Sequence, residues 1–308
     1  MNWAVVTPSY DLDFERCKLL CRSMDAFLTG PWHHYIVVDP VDMILFAPLG
    51  GPRRSIINKA NILPRGLRYI GKVPFMRLGR LWWSWRHGPV FGWQMQQFVK
   101  ILMAASVKEE AIVICDSDIF FVRPFDISRF TRDDQVRFSL SEKPLPLQSA
   151  LVRNTATLFG LPANEPRRLA LDDPIVTWHR PTVLAMQDYL STLHQKPWHE
   201  AIGSKLMFAE FHMYALFVEY IQKNNPHIYR DNTHYCKTLW TKELANEVDL
   251  ADFCSDLEPE HVAVCIQSLI GIKQEVIEKQ FETALARKIP HDRKVTKGRK
   301  AKTPPNSR

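Results

Sequence analysis

The sequence predicts an α/β protein: a mostly parallel sheet flanked by helices, a more helical C-terminal half, and a disordered basic tail. Three observations carry this. Short apolar runs alternate with amphipathic stretches from Trp3 to Asp126, the pattern of β-α-β units with right-handed crossovers. The run Ala111-Ile-Val-Ile-Cys115 is apolar throughout, as a strand buried on both faces must be. The final stretch, Arg287 to Arg308, is rich in Lys, Pro and Thr with few apolar residues, so it has too little to bury to form a core.

The elements follow in order. Ala4–Val6 reads as a first strand ending at Thr7-Pro8-Ser9-Tyr10. A helix is predicted over Phe14–Phe27, with Asp11 or Asp13 as its N-cap. Tyr35–Val38 reads as a second strand ending at Asp39-Pro40, and Gly50-Gly-Pro-Arg-Arg54 as a loop. Ile56–Leu63 is ambiguous, and Leu67–Ile70 fits a short strand. The segment 91–107 has helical amphipathicity and precedes the Ala111–Cys115 strand. Beyond it, strands are expected at Phe138–Glu142, Ile175–His179 and Val262–Ser268, and a surface loop over Leu161–Asp173. Helices are expected at Pro181–Leu193, from about Ser204 to Gln222, and at Ile272–Ala286. One domain is expected over residues 1–286, divided near residue 130 into a nucleotide-binding and an acceptor half, with residues 287–308 as the tail.

Composition narrows the class. At 46% hydrophobic and 24% charged residues the 308-residue chain suits a globular protein. No apolar run is long enough to span a membrane, and the N-terminus reads as a strand rather than a signal peptide. A cytoplasmic protein, peripheral at most to the inner membrane face, is expected. Cysteines at 17, 21, 115, 236, 254 and 265 show no zinc-type spacing and read as reduced thiols. The net charge of +7 lies in the tail, where nine Lys or Arg face one Asp. That tail either solubilises the protein or touches anionic lipid; nucleic acid binding is not expected from it alone.

The chemistry centres on Asp116-Ser117-Asp118, directly after the apolar run. Alternation points positions i and i+2 of an extended chain to one side, so two carboxylates meet at a dry strand end. They repel unless a cation joins them, and hard oxygen ligands suit Mg²⁺ or Mn²⁺. The plain alternative is a turn or helix N-cap, which Asp and Ser favour. Strongly apolar flanks on both sides argue against a surface turn.

The order of a helix carrying Lys100, an apolar strand, Asp116-Ser-Asp118, and the exit Val122-Arg-Pro-Phe-Asp126 resembles the GT-A class of nucleotide-sugar glycosyltransferases. Trp3-Ala-Val-Val-Thr-Pro-Ser-Tyr10 resembles its first strand and nucleotide loop, and His34-Tyr-Ile-Val-Val-Asp39 its second strand. The nearest likeness is to a bacterial glycosyltransferase-like family of unassigned function. The resemblance covers the first half of the chain. It implies a GT-A-like, Rossmann-related fold and a metal-dependent transfer from a nucleotide-sugar donor to a glycan or lipid acceptor, in cell-surface glycan synthesis.

Roles follow from the resemblance. Asp118 ligates the metal; Asp116 does so directly or through water and the ribose; Ser117 contacts the sugar. Lys100 contacts the donor or is a solvated helix charge. Thr7, Pro8, Ser9 and Tyr10 line the nucleotide pocket, with Tyr10 stacking on the base. Asp39 accepts from base or ribose, or caps a turn. His234, in Thr233-His-Tyr-Cys-Lys-Thr-Leu-Trp240, is a third metal ligand, with His179 and His261 as competitors. An inverting enzyme also needs a carboxylate base. Glu210 fits, on an otherwise apolar helix face, unless it forms a buried ion pair; Asp172 and Asp173 are alternatives. Trp82, Trp83, Trp85 and Trp93 read as a core plug, a sugar-stacking wall or a membrane wedge.

Two enzymatic rivals fit less well. A nucleotidyltransferase needs a Gly-rich loop that Thr7–Tyr10 does not supply. A phosphatase with an Asp-X-Asp nucleophile carries it on the first strand. The non-enzymatic rival is a degenerate GT-A protein that binds nucleotide-sugar or a protein partner without turnover.

Overall fold

The computed structural model describes residues 1–72, 80–86, 88–141, 150–168, 173–203, 208–240 and 247–288. The start of the helix at Ser204, Asp172 and nearly all of the basic tail lie outside them.

The central sheet has five strands: β1 (Trp3–Pro8), β2 (Trp32–Val38), β3 (Arg54–Asn58), β4 (Ala111–Cys115) and β5 (Ile175–His179). Their spatial order is β5-β4-β1-β2-β3. The first four are parallel, and β5 joins antiparallel to β4. The parallel order 3-2-1-4 is that of a doubly wound sheet, with its switch point between β1 and β4.

Alternation along the strands builds two cores, one on each face. Trp3 and Val5 of β1, with Ala111, Val113 and Cys115 of β4, enter one core. Ala4, Val6, Ile112 and Ile114 enter the other. Both faces are covered, which is why β4 has no polar residue.

Helix α1 (Phe14–Phe27) occupies the expected span and buries Cys17, Leu20, Cys21, Met24 and Phe27 at helical spacing. Helix α2 (Gly92–Ser106) leads into β4 and buries residues on all sides, from Gln94 to Ala104. Its first turn is closed by Gln94, whose side-chain oxygen accepts from the Phe91 N–H at 3.2 Å.

A three-stranded sheet of 236–239, 263–266 and 119–121 packs below β4. Strands Arg68–Lys72, Arg80–Ser84 and Gly88–Phe91 form a separate antiparallel sheet.

Several expectations shift. The strand expected at Phe138–Glu142 lies at Gln135–Phe138, and the Leu140 N–H donates to Asn232 Oδ1 instead of to a strand. The helix expected up to Gln222 is described from Glu210 to Leu216, α3, and then widens into a π turn at Phe217–Ile221. Of the described residues in the expected surface loop over 161–173, Arg167 and Asp173 are buried. All six cysteines are free thiols.

Candidate functional site at the carboxyl end of the sheet

The loops after β1 and β4 meet at the switch point, where an open α/β sheet places its ligands. Asp116 follows β4 directly. Its carboxylate is reached by Lys100 from α2, with Nζ 3.0 Å from Oδ1 and 3.1 Å from Oδ2. The same ammonium lies 3.0 Å from Glu210 Oε1, at the start of α3. It also sits 4.7 Å from the centre of the Phe211 ring.

Lys100 and Glu210 are both buried, while the Asp116 side chain is 42% exposed. A lysine in a fully buried helix is tolerated only with partners. Burial works to lower the Lys100 pKa, but the two carboxylates outweigh it and hold it above the ordinary lysine value. Burial raises the Glu210 carboxyl despite Lys100. Glu210 is therefore a buried ion-pair partner of Lys100, the alternative its place on an apolar helix face left open.

Asp118 is turned toward the lower sheet. Its carbonyl accepts from the Ile266 N–H at 3.1 Å, and the Cys265 thiol lies 3.6 Å from Oδ1. Burial, then the charge of Asp116, raise its pKa to about 6, against Arg16. Asp13 is raised to about 6 by burial as well, with Asp116 adding to the effect and Arg16 opposing it. Ser117 opposes that rise, and Asp13 makes no side-chain bond to the helix end it precedes.

Asp13 is thus a member of the site that the sequence presented as a cap. The available signal was the acidic run Asp11-Leu-Asp13 immediately after the first strand. Arg16 completes the group, donating from Nη1 to the Ile266 carbonyl at 2.6 Å.

The carboxylates Asp13, Asp116 and Asp118 therefore face one another's fields, with Lys100 and Arg16 in opposition. Among the described residues, no three His, Cys, Asp or Glu side chains form a ready metal cage. A hard divalent cation does not need one, because it is taken with one or two carboxylates plus substrate phosphates. The surplus negative charge, written in two carboxyls held near 6, fits such a cation on Asp116 and Asp118.

His234 does not join them. Cys265, which touches Asp118, pairs with Thr238. His234 lies four positions before Thr238, about 13 Å along the strand direction. His261 precedes the neighbouring strand at the same far end, where its Nδ1 accepts from the Glu258 N–H. His179 pairs with Ala111 at the opposite end of β4 and stacks on His227.

The nucleotide-loop residues divide. Thr7 is fully buried, and its hydroxyl donates to the Cys115 carbonyl at 2.7 Å. It therefore accepts from His34 Nε2 at 2.9 Å, while Arg54 Nε donates to His34 Nδ1 at 3.1 Å. Thr7 ties β1 to β4 and β2 and is not free to line a pocket. Pro8 and Ser9 are buried too; only Tyr10 is half-exposed.

Asp39 is buried against Lys59, at 2.5 Å, and against Arg80. Arg80 also holds Asp42 at 2.5 Å and Asp11 at 2.8 Å, with its guanidinium 5.9 Å from the Tyr10 ring centre. The Asp39 oxygens, expected at base or ribose or in a turn cap, are engaged by two cations.

Asp173 is likewise engaged. Its carboxylate lies 3.5 Å from Arg137 Nη2 and accepts from the Ile175 and Tyr235 N–H groups. It anchors β5 to the 236–239 strand and is not a free base.

Of the tryptophans, Trp82 is core, packed on Tyr69. Trp83 and Trp85 meet edge to face at 4.7 Å, and Trp85 is exposed. The four do not form one wall.

A family profile described as a family of unknown function, DUF6492, matches residues 5–287. No curated protein matches the sequence. Among solved structures, the chain is similar to an active-site mutant of LgtC, with 6% identity, 91% of this chain and 95% of that one covered, and a TM-score of 0.44. It is similar to galactosyltransferase LgtC in complex with donor and acceptor sugar analogues, with 8% identity, the same coverage and a TM-score of 0.41. It is also similar to mouse xyloside xylosyltransferase 1 in its apo form, with 9% identity, 89% of this chain and all 100% of that one covered, and a TM-score of 0.46.

Proposed function

The chain belongs to the family of unknown function DUF6492, and for this member we propose glycosyl transfer from a nucleotide-sugar donor to a glycan or lipid acceptor. One observation carries the reading. Asp116-Ser117-Asp118 stands at the carboxyl end of β4, at the switch point of a 3-2-1-4 sheet, with Asp116 held by the buried Lys100.

In this reading the donor diphosphate lies across the loops after β1 and β4. Asp116 and Asp118 hold Mn²⁺ or Mg²⁺ with it. The cation supplies charge neutralisation to the departing diphosphate. Lys100 fixes the Asp116 carboxylate, and Glu210 fixes Lys100. Asp13, whose charge acts on Asp118, adds to the negative field around the two ligands. Tyr10, half-exposed on the neighbouring loop, is the stacking surface for the base.

The second reading is binding without turnover. It is favoured by the sequestration of Thr7, Asp39 and Asp173 in structural bonds.

The test is thermal denaturation with a panel of nucleoside diphosphates, with and without Mn²⁺, on the wild type and Asp118→Ala. Binding to the native state raises the midpoint by mass action. A Mn²⁺-dependent rise with one base, absent in the variant, is expected. No rise with any nucleotide removes the glycosyl-transfer reading and leaves, of the second, only binding to a protein partner. A rise without hydrolysis or transfer of the corresponding nucleotide-sugar leaves the second.

A further inference from the structure

We propose that the loops after β1 and β2, together with the edge strand Arg68–Lys72, form a surface that docks on an anionic lipid bilayer. This goes beyond the glycosyl-transfer reading and does not depend on it.

The surface begins with exposed aliphatic side chains. Ile44 is 90% exposed, Leu12 78%, Val41 61% and Ile70 58%. Val41, Ile44 and Leu45 fall at i, i+3 and i+4 across the 3₁₀ and α turns of 40–46, so they share a face. The other side of those turns buries Asp42 and Phe46. Scattered exposed aliphatics need no explanation, but a cluster on adjoining loops does.

Three ion pairs bring these segments together. Arg80 holds Asp11, beside Leu12, and Asp42, between Val41 and Met43. Lys72 holds Asp11 at 2.8 Å. Strand 68–72 alternates in exposure, so Arg68, Ile70 and Lys72 point outward together.

Charge selects the partner. In segments 10–14, 39–49 and 59–72 the acidic residues are Asp11, Asp13, Asp39 and Asp42. Asp13, Asp39 and Asp42 are buried, and Asp11 is engaged by Lys72 and Arg80. The exposed charges of the same segments are Arg65, Arg68 and Lys72. An apolar face with a basic border and its acids turned inward is complementary to anionic headgroups over acyl chains.

The surface also differs from the two expected from sequence. Trp82 is core. The basic tail departs from Lys288, whose Nζ lies over Phe27 at the far end of α1, away from these loops.

The experiment is co-sedimentation of the full chain with phosphatidylcholine vesicles, with and without phosphatidylglycerol. Wild type is expected to partition onto the anionic vesicles. Ile44→Asp/Ile70→Asp is expected to lower that partitioning at least about tenfold, with an unchanged thermal midpoint because both positions are exposed. Arg68→Glu is expected to reduce the preference for phosphatidylglycerol. Equal partitioning of the double variant and wild type overturns the proposal, since the tail is intact in both. So does absence of wild-type partitioning. A wild-type dimer abolished by the double variant, without vesicle binding, assigns the face to a second copy and also overturns it.

Discussion

Lys100 Nζ lies 3.0 Å from Glu210 Oε1, and both side chains are buried. The lysine reaches out of α2 to hold Asp116, and the glutamate closes the other side of the ammonium. Asp116, half-open to solvent, therefore presents its carboxylate in an orientation fixed by two interior residues. That is how a rigid interior positions a ligand-binding group.

Removing one member of such a group leaves an uncompensated buried charge, which costs about 3–5 kcal/mol. Lys100→Met is expected to lose about that much stability in urea denaturation. Replacing both partners, Lys100→Met/Glu210→Leu, should recover part of the loss, because a buried ion pair is often replaceable by apolar groups. Additive losses in the double variant would show that the two side chains do not act as a pair.

Asp118 and Asp13 make the apoprotein's stability fall with rising pH. The folded state holds the Asp118 proton up to about pH 6, whereas the unfolded chain releases it near 3.8. Between these values the folded state binds more protons, so its advantage is full below 3.8 and is lost as pH rises through 6. Asp13 acts in the same direction. Asp118→Asn is expected to flatten this slope and to raise apoprotein stability at pH 7 by about 1–3 kcal/mol. Mn²⁺ should stabilise the wild type more at pH 7 than at pH 5. Thermal midpoints across pH 4–8 check both, and a variant that keeps the wild-type slope contradicts the assignment.

Arg80 is the second pivot of this end of the sheet. Its planar guanidinium spans Asp11, Asp39 and Asp42 at once, which a single ammonium cannot reproduce. Arg80→Met should destabilise by about 3–5 kcal/mol, and Arg80→Lys by less but measurably. A loss under about 0.5 kcal/mol in either variant, the range of ordinary surface changes, would argue that the carboxylates re-pair with Lys59 and Lys72.

Much of the frame was legible from local signals. Helix α1 starts and ends where its apolar spacing predicts, because Phe14–Phe27 contains neither Gly nor Pro and buries one continuous stripe. β4 was legible because both its faces are apolar. What was not legible lies where long-range partners decide. Thr7 and Asp39 stand at the expected strand ends, but their partners, Cys115 and Arg80, are 108 and 41 positions away. No local pattern distinguishes a strand-end carboxylate awaiting a ligand from one already paired. Asp13 failed in the opposite sense: its position at a helix start suggested a cap, while its side chain makes no bond to that helix end and feels the charge of Asp116.

That last contrast separates two variants that the sequence would rank the other way. His234 was the expected third ligand, yet it lies at the far end of the strand whose Thr238 pairs with Cys265 beside Asp118. Asp13 was not expected, yet its charge acts on Asp118 and it feels that of Asp116 in turn. His234→Ala is therefore expected to leave the Mn²⁺-dependent nucleotide shift unchanged. Asp13→Asn should weaken it about tenfold or more in apparent affinity, the scale on which supporting groups around a metal act. Titration of Mn²⁺ at fixed nucleotide, read by the thermal midpoint, distinguishes the two. A shift lost in His234→Ala and kept in Asp13→Asn would mean that the lower sheet moves its histidine end toward Asp118 when the donor binds.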